Sequence, residues 1–163
     1  MTHVLSIAFS VALLSSASAG QAQQLADFRS IPGVNGRLVI DLGTMTSDGD
    51  VRAFDMYMNP TEDVARMNGR ARIRINCRDR TESIESVARQ RGDEMNFDSP
   101  KMLNQPWAKA DEDKTGALIV NLVCAPATER DRYLPRLSAS NWNAAMIAAA
   151  RQAASGDEKP TKP

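Results

Sequence analysis

The sequence predicts an α+β fold in which a small antiparallel β-sheet carries a peripheral C-terminal helix. The segment 70–78 alternates apolar with polar residues as a half-buried strand does, and in 51–58 Phe54, Met56 and Met58 share one side. A third segment, 142–154, is rich in alanine and repeats its apolar residues at helical spacing. The chain has 163 residues, so we expect one domain rather than two.

Residues 1–19 have the features of a secretory signal peptide. An uncharged run at 4–14 is followed by Ala17-Ser18-Ala19, the small-x-small pattern of a cleavage site. The run is too short to cross about 30 Å of hydrocarbon as a helix, so no transmembrane segment is expected in the mature chain. We expect a periplasmic or secreted protein. The alternatives are cleavage after Ala22, a buried N-terminal helix or a misplaced start codon.

Composition narrows the chemistry available to this chain. Its 20 basic and 20 acidic residues balance, which gives no reason to expect a specific nucleic-acid partner. The single histidine, His3, lies in the predicted signal peptide, so the mature chain has no imidazole. Catalysis by Ser-His-Asp or Cys-His groups and most catalytic zinc sites need one. We therefore expect no metal, no cofactor and no histidine-dependent enzyme.

Carboxylates are the catalytic groups that this argument leaves open. The candidate acids, Asp41, Asp55 and Asp98, are isolated in the sequence, and no signature selects a pair. We therefore expect an exported, non-enzymatic interaction protein. A periplasmic carrier and a carboxylate-using hydrolase of unknown substrate are the alternatives.

Cys77 and Cys124 are the only cysteines, and in an oxidising compartment they are predicted to form one disulfide. A redox pair would favour C-x-x-C spacing, and two thiolates without histidine make a poor zinc site. The disulfide is therefore expected to be structural.

The N-terminal half is expected to begin with a flexible lead-in, 20–35, followed by a strand at 37–42. Residues 43–50 are rich in turn formers and contain an Asp-Gly hairpin signal. In the predicted strand at 51–58, Phe54, Met56 and Met58 lie at alternate positions and so share one side.

The segment 70–78 has the clearest period of the chain. Arg70, Arg72 and Arg74 share one side of the predicted strand, and Cys77 points into the core with the apolar residues of the other side. A turn at Asp79-Arg80 would return the chain as a strand at 81–89. The arginines suit an anion site for glycans, lipopolysaccharide or nucleic acid. The alternative is a solvated sheet face in which they pair with Glu82 and Glu85.

The segments after residue 91 are less regular. The polar stretch 92–114 contains Trp107, which is either an aromatic residue for ligand binding or a buried residue of the hydrophobic core. The apolar run 115–124 fits a buried strand or a helix, and the acids before it favour a helix. Residues 126–154 are predicted as a linker and an alanine-rich helix, followed by a disordered tail at 155–163.

The C-terminal helix is predicted to begin with a cap at Ser140 or Asn141 and to end near Ala154. Its apolar stripe is thin, so we expect it to lie at the periphery. That stripe consists of Trp142, Ala145, Met146, Ala149 and Ala153.

Short stretches within residues 36–125 resemble the bacterial surface-adhesin protein E family. The matching residues are Asp41, Gly49, Val51, Arg52, Cys77, Arg80, Trp107, Gly116, Val123 and Cys124. The resemblance implies a helix at 115–124 that packs on one face of the sheet and is tethered by the Cys77–Cys124 disulfide. It also implies a cell-envelope protein that binds an extracellular or envelope protein and can form a homodimer, whereas the arginines suggest an anionic polymer as the other partner. The chain departs from the family in lacking a lipidation cysteine and in its added C-terminal helix and tail.

Overall fold

The structure is a computed structural model that describes residues 26–32, 37–59, 68–91 and 95–156. The predicted signal peptide at 1–19 lies outside the described residues. No helix among those described is long and apolar enough to cross a membrane.

The described residues form one antiparallel sheet with two helices, which confirms the predicted α+β class. The strands are β1 (Phe28–Ser30), β2 (Arg37–Asp48), β3 (Val51–Asn59), β4 (Gly69–Asn76), β5 (Thr81–Arg89), β6 (Lys101–Met102) and β7 (Ala108–Lys109). The helices are α1 (Lys114–Cys124), a short 3₁₀-helix (Ala127–Arg132) and α2 (Trp142–Gly156). Strands β1 to β5 pair in chain order, and β6 and β7 both pair with β5 at the far edge.

The apolar run 115–124 is helical. It forms α1, which covers one face of the sheet. Asp113 caps this helix, because its Oδ1 accepts a hydrogen bond of 2.7 Å from the Gly116 N–H. Gly116 is required by close packing, since a Cβ atom there would lie 1.9 Å from the carbonyl oxygen of Ala110. The core between helix and sheet contains Ile40, Leu42, Phe54, Ala71, Ile73, Ile75, Val120, Leu122 and Val123.

The predicted disulfide is present. Cys77, directly after β4, bonds to Cys124, the last residue of α1, with the two Cα atoms 5.6 Å apart. Both cysteines pack against the core under α1. The bond therefore ties the C-terminal end of the helix to the sheet that it covers.

Helix α2 packs on the opposite face of the sheet, at its β1 and β2 end. Of the two predicted caps, Ser140 and Asn141, it is Asn141 that caps the helix, by accepting a hydrogen bond of 2.9 Å from the Ala144 N–H. Trp142 stacks on Tyr57 of β3, with ring centroids 5.7 Å apart. The helix lies toward one edge of the sheet, as expected, but it also forms a second hydrophobic core with that edge. It extends two residues past the predicted end at Ala154. Residues 157–163 of the predicted tail lie outside the described residues.

One predicted boundary is wrong in the lead-in, 20–35, of which Phe28–Ser30 forms the edge strand β1. Phe28 is buried between the sheet and α2, and Arg29 is buried on the other face. The segment is a strand because the tertiary structure offers both side chains a burial site that the short sequence pattern did not reveal.

A second predicted boundary is wrong at the turn-rich segment 43–50, where β2 continues as far as Asp48. A bulge between Asp41 and Thr46 interrupts its pairing with β3. Thr44 replaces the missing ladder bonds, because its hydroxyl donates to the Asp41 carbonyl at 2.8 Å and accepts from the Asp55 N–H at 2.9 Å. The Asp-Gly hairpin is where it was expected, with Gly49 at φ +55°.

Candidate functional site

The three predicted arginines lie on the sheet face opposite α1. They occupy the part of that face formed by β4 and β5, beyond α2. The strand register sets them in three parallel rows that cross β3, β4 and β5. The rows are Tyr57–Arg70–Ala88, Asp55–Arg72–Ser86 and Ala53–Arg74–Ser83. We call this surface, together with Met102 and Trp107 beside it, the arginine face.

The predicted pairing of the arginines with Glu82 and Glu85 is wrong. Glu82 lies opposite Ile75, on the face that α1 covers, where burial and then the nearby Asp113 raise its pKa. A bulge in β5 leaves Glu85 without a registered partner and places Ser86 opposite Arg72. Without this bulge, the register from the turn would have set Glu85 opposite Arg72.

Arg72, at the centre of the arginine face, makes three hydrogen bonds to protein groups. Its Nη1 lies 3.2 Å from Asp55 Oδ1 and donates to the Thr44 carbonyl at 3.0 Å. Its Nη2 donates to the Thr46 hydroxyl at 3.0 Å. Arg72 therefore connects β4 to the bulged part of β2, and its charge is balanced by a neighbouring carboxylate.

Arg70 and Arg74 are held by aromatic rings. The Arg70 guanidinium lies 5.3 Å from the ring centroid of Phe97, and that of Arg74 lies 5.2 Å from Trp107. Within the described ranges, neither arginine has a carboxylate within 4.0 Å. Both positive charges therefore remain without an acidic partner among the described residues.

Trp107 is not a buried core residue, because 44% of its surface is exposed. The loop before it is tied to β5, since the N–H groups of Leu103 and Gln105 donate to β5 carbonyls at 2.9 and 3.1 Å. The Ser83 hydroxyl in turn donates to the Gln105 carbonyl at 2.6 Å. The other interpretation of Trp107, an aromatic available for binding, is the one compatible with its exposure.

A shallow depression of about 290 Å³ lies within the arginine face. It is lined by both charge signs and by apolar groups, namely Asp55, Arg70, Arg72, Glu85, Ser86, Pro100 and Met102. Met102 is 55% exposed. The depression therefore offers hydrogen-bond donors, acceptors and apolar surface to one ligand.

Two of the three candidate acids are brought together by the fold. Asp41 and Asp55 are directly opposite on β2 and β3, whereas Asp98 lies elsewhere in an exposed ion pair with Arg91. Burial and then the charge of Asp55 raise the pKa of Asp41 to about 6, although the Gly43 N–H donates to it at 2.9 Å. The sequence could not reveal this pair, because the bulge in β2 shifts the register that the hairpin turn alone would set.

The remaining chemistry of the described residues is limited. Among them, no group of three His, Cys, Asp or Glu side chains is placed to hold a metal ion. Comparison of the chain with family models, curated proteins and solved structures finds no match. The resemblance to the surface-adhesin protein E family stays a prediction.

Proposed function

We propose that this chain is an exported, non-enzymatic binding protein of the bacterial cell envelope, similar to surface-adhesin protein E, that binds an anionic polymer through its arginine face. The observation that carries this proposal is the pairing of Arg70 and Arg74 with aromatic rings instead of carboxylates. Export is supported by the signal-like residues 1–19 and by the Cys77–Cys124 disulfide, which is typical of oxidising compartments.

A ring under a guanidinium positions the cation without consuming its N–H groups. The edge of an arginine can then chelate a sulfate, phosphate or carboxylate through two parallel hydrogen bonds. Arg70 and Arg74 are four residues apart on β4, which corresponds to about 13 Å along the strand. Such spacing suits successive charged groups of an extended polymer better than one small anion.

Chromatography at low salt on heparin and on immobilised lipopolysaccharide tests the proposal. We expect the Arg70→Glu, Arg74→Glu double variant to elute much earlier than the wild-type protein. The matched control is Arg132→Glu, Arg151→Glu, which changes net charge equally at exposed positions outside the arginine face. The control should elute close to the wild type. Equal elution of both double variants, or no retention of the wild type, would contradict the proposal.

A carboxylate-using hydrolase is the second candidate, because Asp41 and Asp55 form a facing pair with different environments. Against it, Asp41 is only 7% exposed and its carboxylate accepts the Gly43 N–H. Asp55 is engaged by Arg72. A screen of glycoside and ester substrates with the purified protein and with Asp55→Asn distinguishes the two functions, since an enzyme would show turnover that this variant loses.

A further inference from the structure

We propose that the polymer bound at the arginine face is an acidic glycan, with one sugar ring on Trp107 and an acid group of the chain on Arg74. This inference rests on the proposed function and specifies its ligand. It depends on three features of the arginine face: the exposure of Trp107, the free donors of Arg74 and the mixed charge of the adjacent depression.

Trp107 provides a flat apolar platform. The Arg74 guanidinium lies over its indole ring, 5.2 Å from the ring centroid, and 44% of the residue is exposed. The preceding loop is hydrogen-bonded to β5, so the ring is positioned before any ligand arrives. The C–H groups on one side of a sugar ring pack against such an aromatic face.

Arg74 has donor capacity that the protein does not use. Within the described part of the chain, its only hydrogen bond runs from Nη2 to the Ser83 hydroxyl at 3.2 Å, and its Nε is buried without a partner. A guanidinium carries five N–H groups. An acidic group on a sugar stacked at Trp107 would therefore meet the remaining Nη donors of Arg74, whereas the buried Nε is out of its reach.

The adjacent depression favours a sugar chain over a simple polyanion. Asp55 and Glu85 line it together with Arg70 and Arg72. Sugar hydroxyls donate hydrogen bonds as well as accept them, so they can satisfy carboxylates and guanidiniums at once. A chain of phosphates alone has no donors for Asp55 and Glu85 and would be repelled by them. Pro100 and Met102 add apolar surface for the carbons of the sugar ring.

Titration calorimetry with two anionic probes tests this inference. The first is a heparin-derived hexasaccharide, and the second is inorganic polyphosphate of similar charge. For the wild-type protein we expect tighter binding of the hexasaccharide. Trp107→Ala should weaken the hexasaccharide at least about fivefold more than it weakens polyphosphate, which is the size expected for loss of one aromatic packing contact. Trp107→Phe should recover part of that loss.

Tyr133→Ala is the matched control, because Tyr133 is an aromatic residue with 39% of its surface exposed outside the arginine face. It should bind both probes as the wild type does. If Trp107→Ala weakens both probes equally, or neither, the glycan inference is wrong while anion binding at the arginine face stands. If the wild type binds neither probe, both the inference and the proposed function are wrong.

Discussion

Asp41 of β2 and Asp55 of β3 lie directly opposite each other at the last registered pair before the bulge in β2. Their carboxylates differ in what stabilises them. Asp55 has a cation, since Arg72 Nη1 lies 3.2 Å from its Oδ1. Asp41 is buried and has no ion pair within the described residues, although the Gly43 N–H donates to it. A negative charge is therefore costly at Asp41.

The first prediction concerns the pH dependence of stability at Asp41. Its folded-state pKa of about 6 lies above its ordinary value of 3.8, so the folded protein favours the protonated acid. This stabilising contribution is present below about pH 4 and is lost as the pH rises through about 6. Asp41→Asn keeps an acceptor without the charge. We expect it to increase the free energy of unfolding at pH 7.5 by about 1–3 kcal/mol.

Urea unfolding between pH 4 and pH 8 measures this difference. The gain from Asp41→Asn should shrink toward zero near pH 4. Asp48→Asn, at the exposed end of the same strand, is the control and should show no such trend. A difference between Asp41→Asn and wild type that stays constant over this pH range would contradict the prediction.

The second prediction concerns Gly116. Gly116→Ala would set a Cβ atom against the Ala110 carbonyl oxygen at 1.9 Å, so the backbone must move. We expect a loss of about 2–4 kcal/mol in unfolding free energy. Gly69→Ala is the control, because the closest contact of its Cβ would be the flexible Met58 side chain at 3.3 Å, and the nearest backbone atom, the Ala88 carbonyl oxygen, lies at an ordinary 3.9 Å. Thermal unfolding should show Gly69→Ala within about 1 kcal/mol of the wild type.

The third prediction concerns the disulfide between Cys77 and Cys124. Mass spectrometry without reductant should find these residues linked. The double Cys→Ser variant should lose about 2–5 kcal/mol of stability, because the closed loop restricts the unfolded chain. Reduced wild type is the control and should be destabilised to a similar extent. An unchanged melting temperature in the double variant would show that α1 stays on the sheet without the bond.

The fourth prediction concerns Arg29, a buried cation that joins β1 to the segment after α1. Its Nη1 lies 2.5 Å from Asp131 Oδ1 and 2.5 Å from the Leu134 carbonyl oxygen, and its Nε lies 2.6 Å from Asp27 Oδ1. Arg29→Met keeps the packing but leaves these acceptors unpaired. We expect a loss of about 2–4 kcal/mol in chemical denaturation. Arg132→Met, at an exposed position, should stay within about 0.5 kcal/mol of the wild type.

The fifth prediction concerns export. The uncharged run at 4–14 and Ala17-Ser18-Ala19 should direct the chain through the secretion machinery. N-terminal sequencing of periplasmic or secreted material should begin near Gly20. Replacing Ala17 and Ala19 with bulky residues should leave uncleaved precursor. Recovery of the chain only from the cytoplasm, still beginning at Met1, would contradict this prediction.

Local patterns were sufficient for several parts of this fold. The alternation in 70–78 set Arg70, Arg72 and Arg74 on one sheet face, because consecutive side chains of any strand point to opposite sides. The Asp-Gly turn and the Asn141 cap depend on a few neighbouring residues. The disulfide followed from cysteine count and expected compartment, although the geometry that allows it depends on the whole fold.

The partners of the arginines were decided only by the tertiary structure. The unshifted ladder between β3 and β4 sets Arg72 opposite Asp55, and the bulge in β5 sets it opposite Ser86 instead of Glu85. The sequence alone determined which residues lie on the same side of a strand, because side chains alternate between the two sides along any strand backbone. Which of them meet depends on where each strand bulges and on what packs against it, and those choices minimise the free energy of the whole chain, not of any one segment.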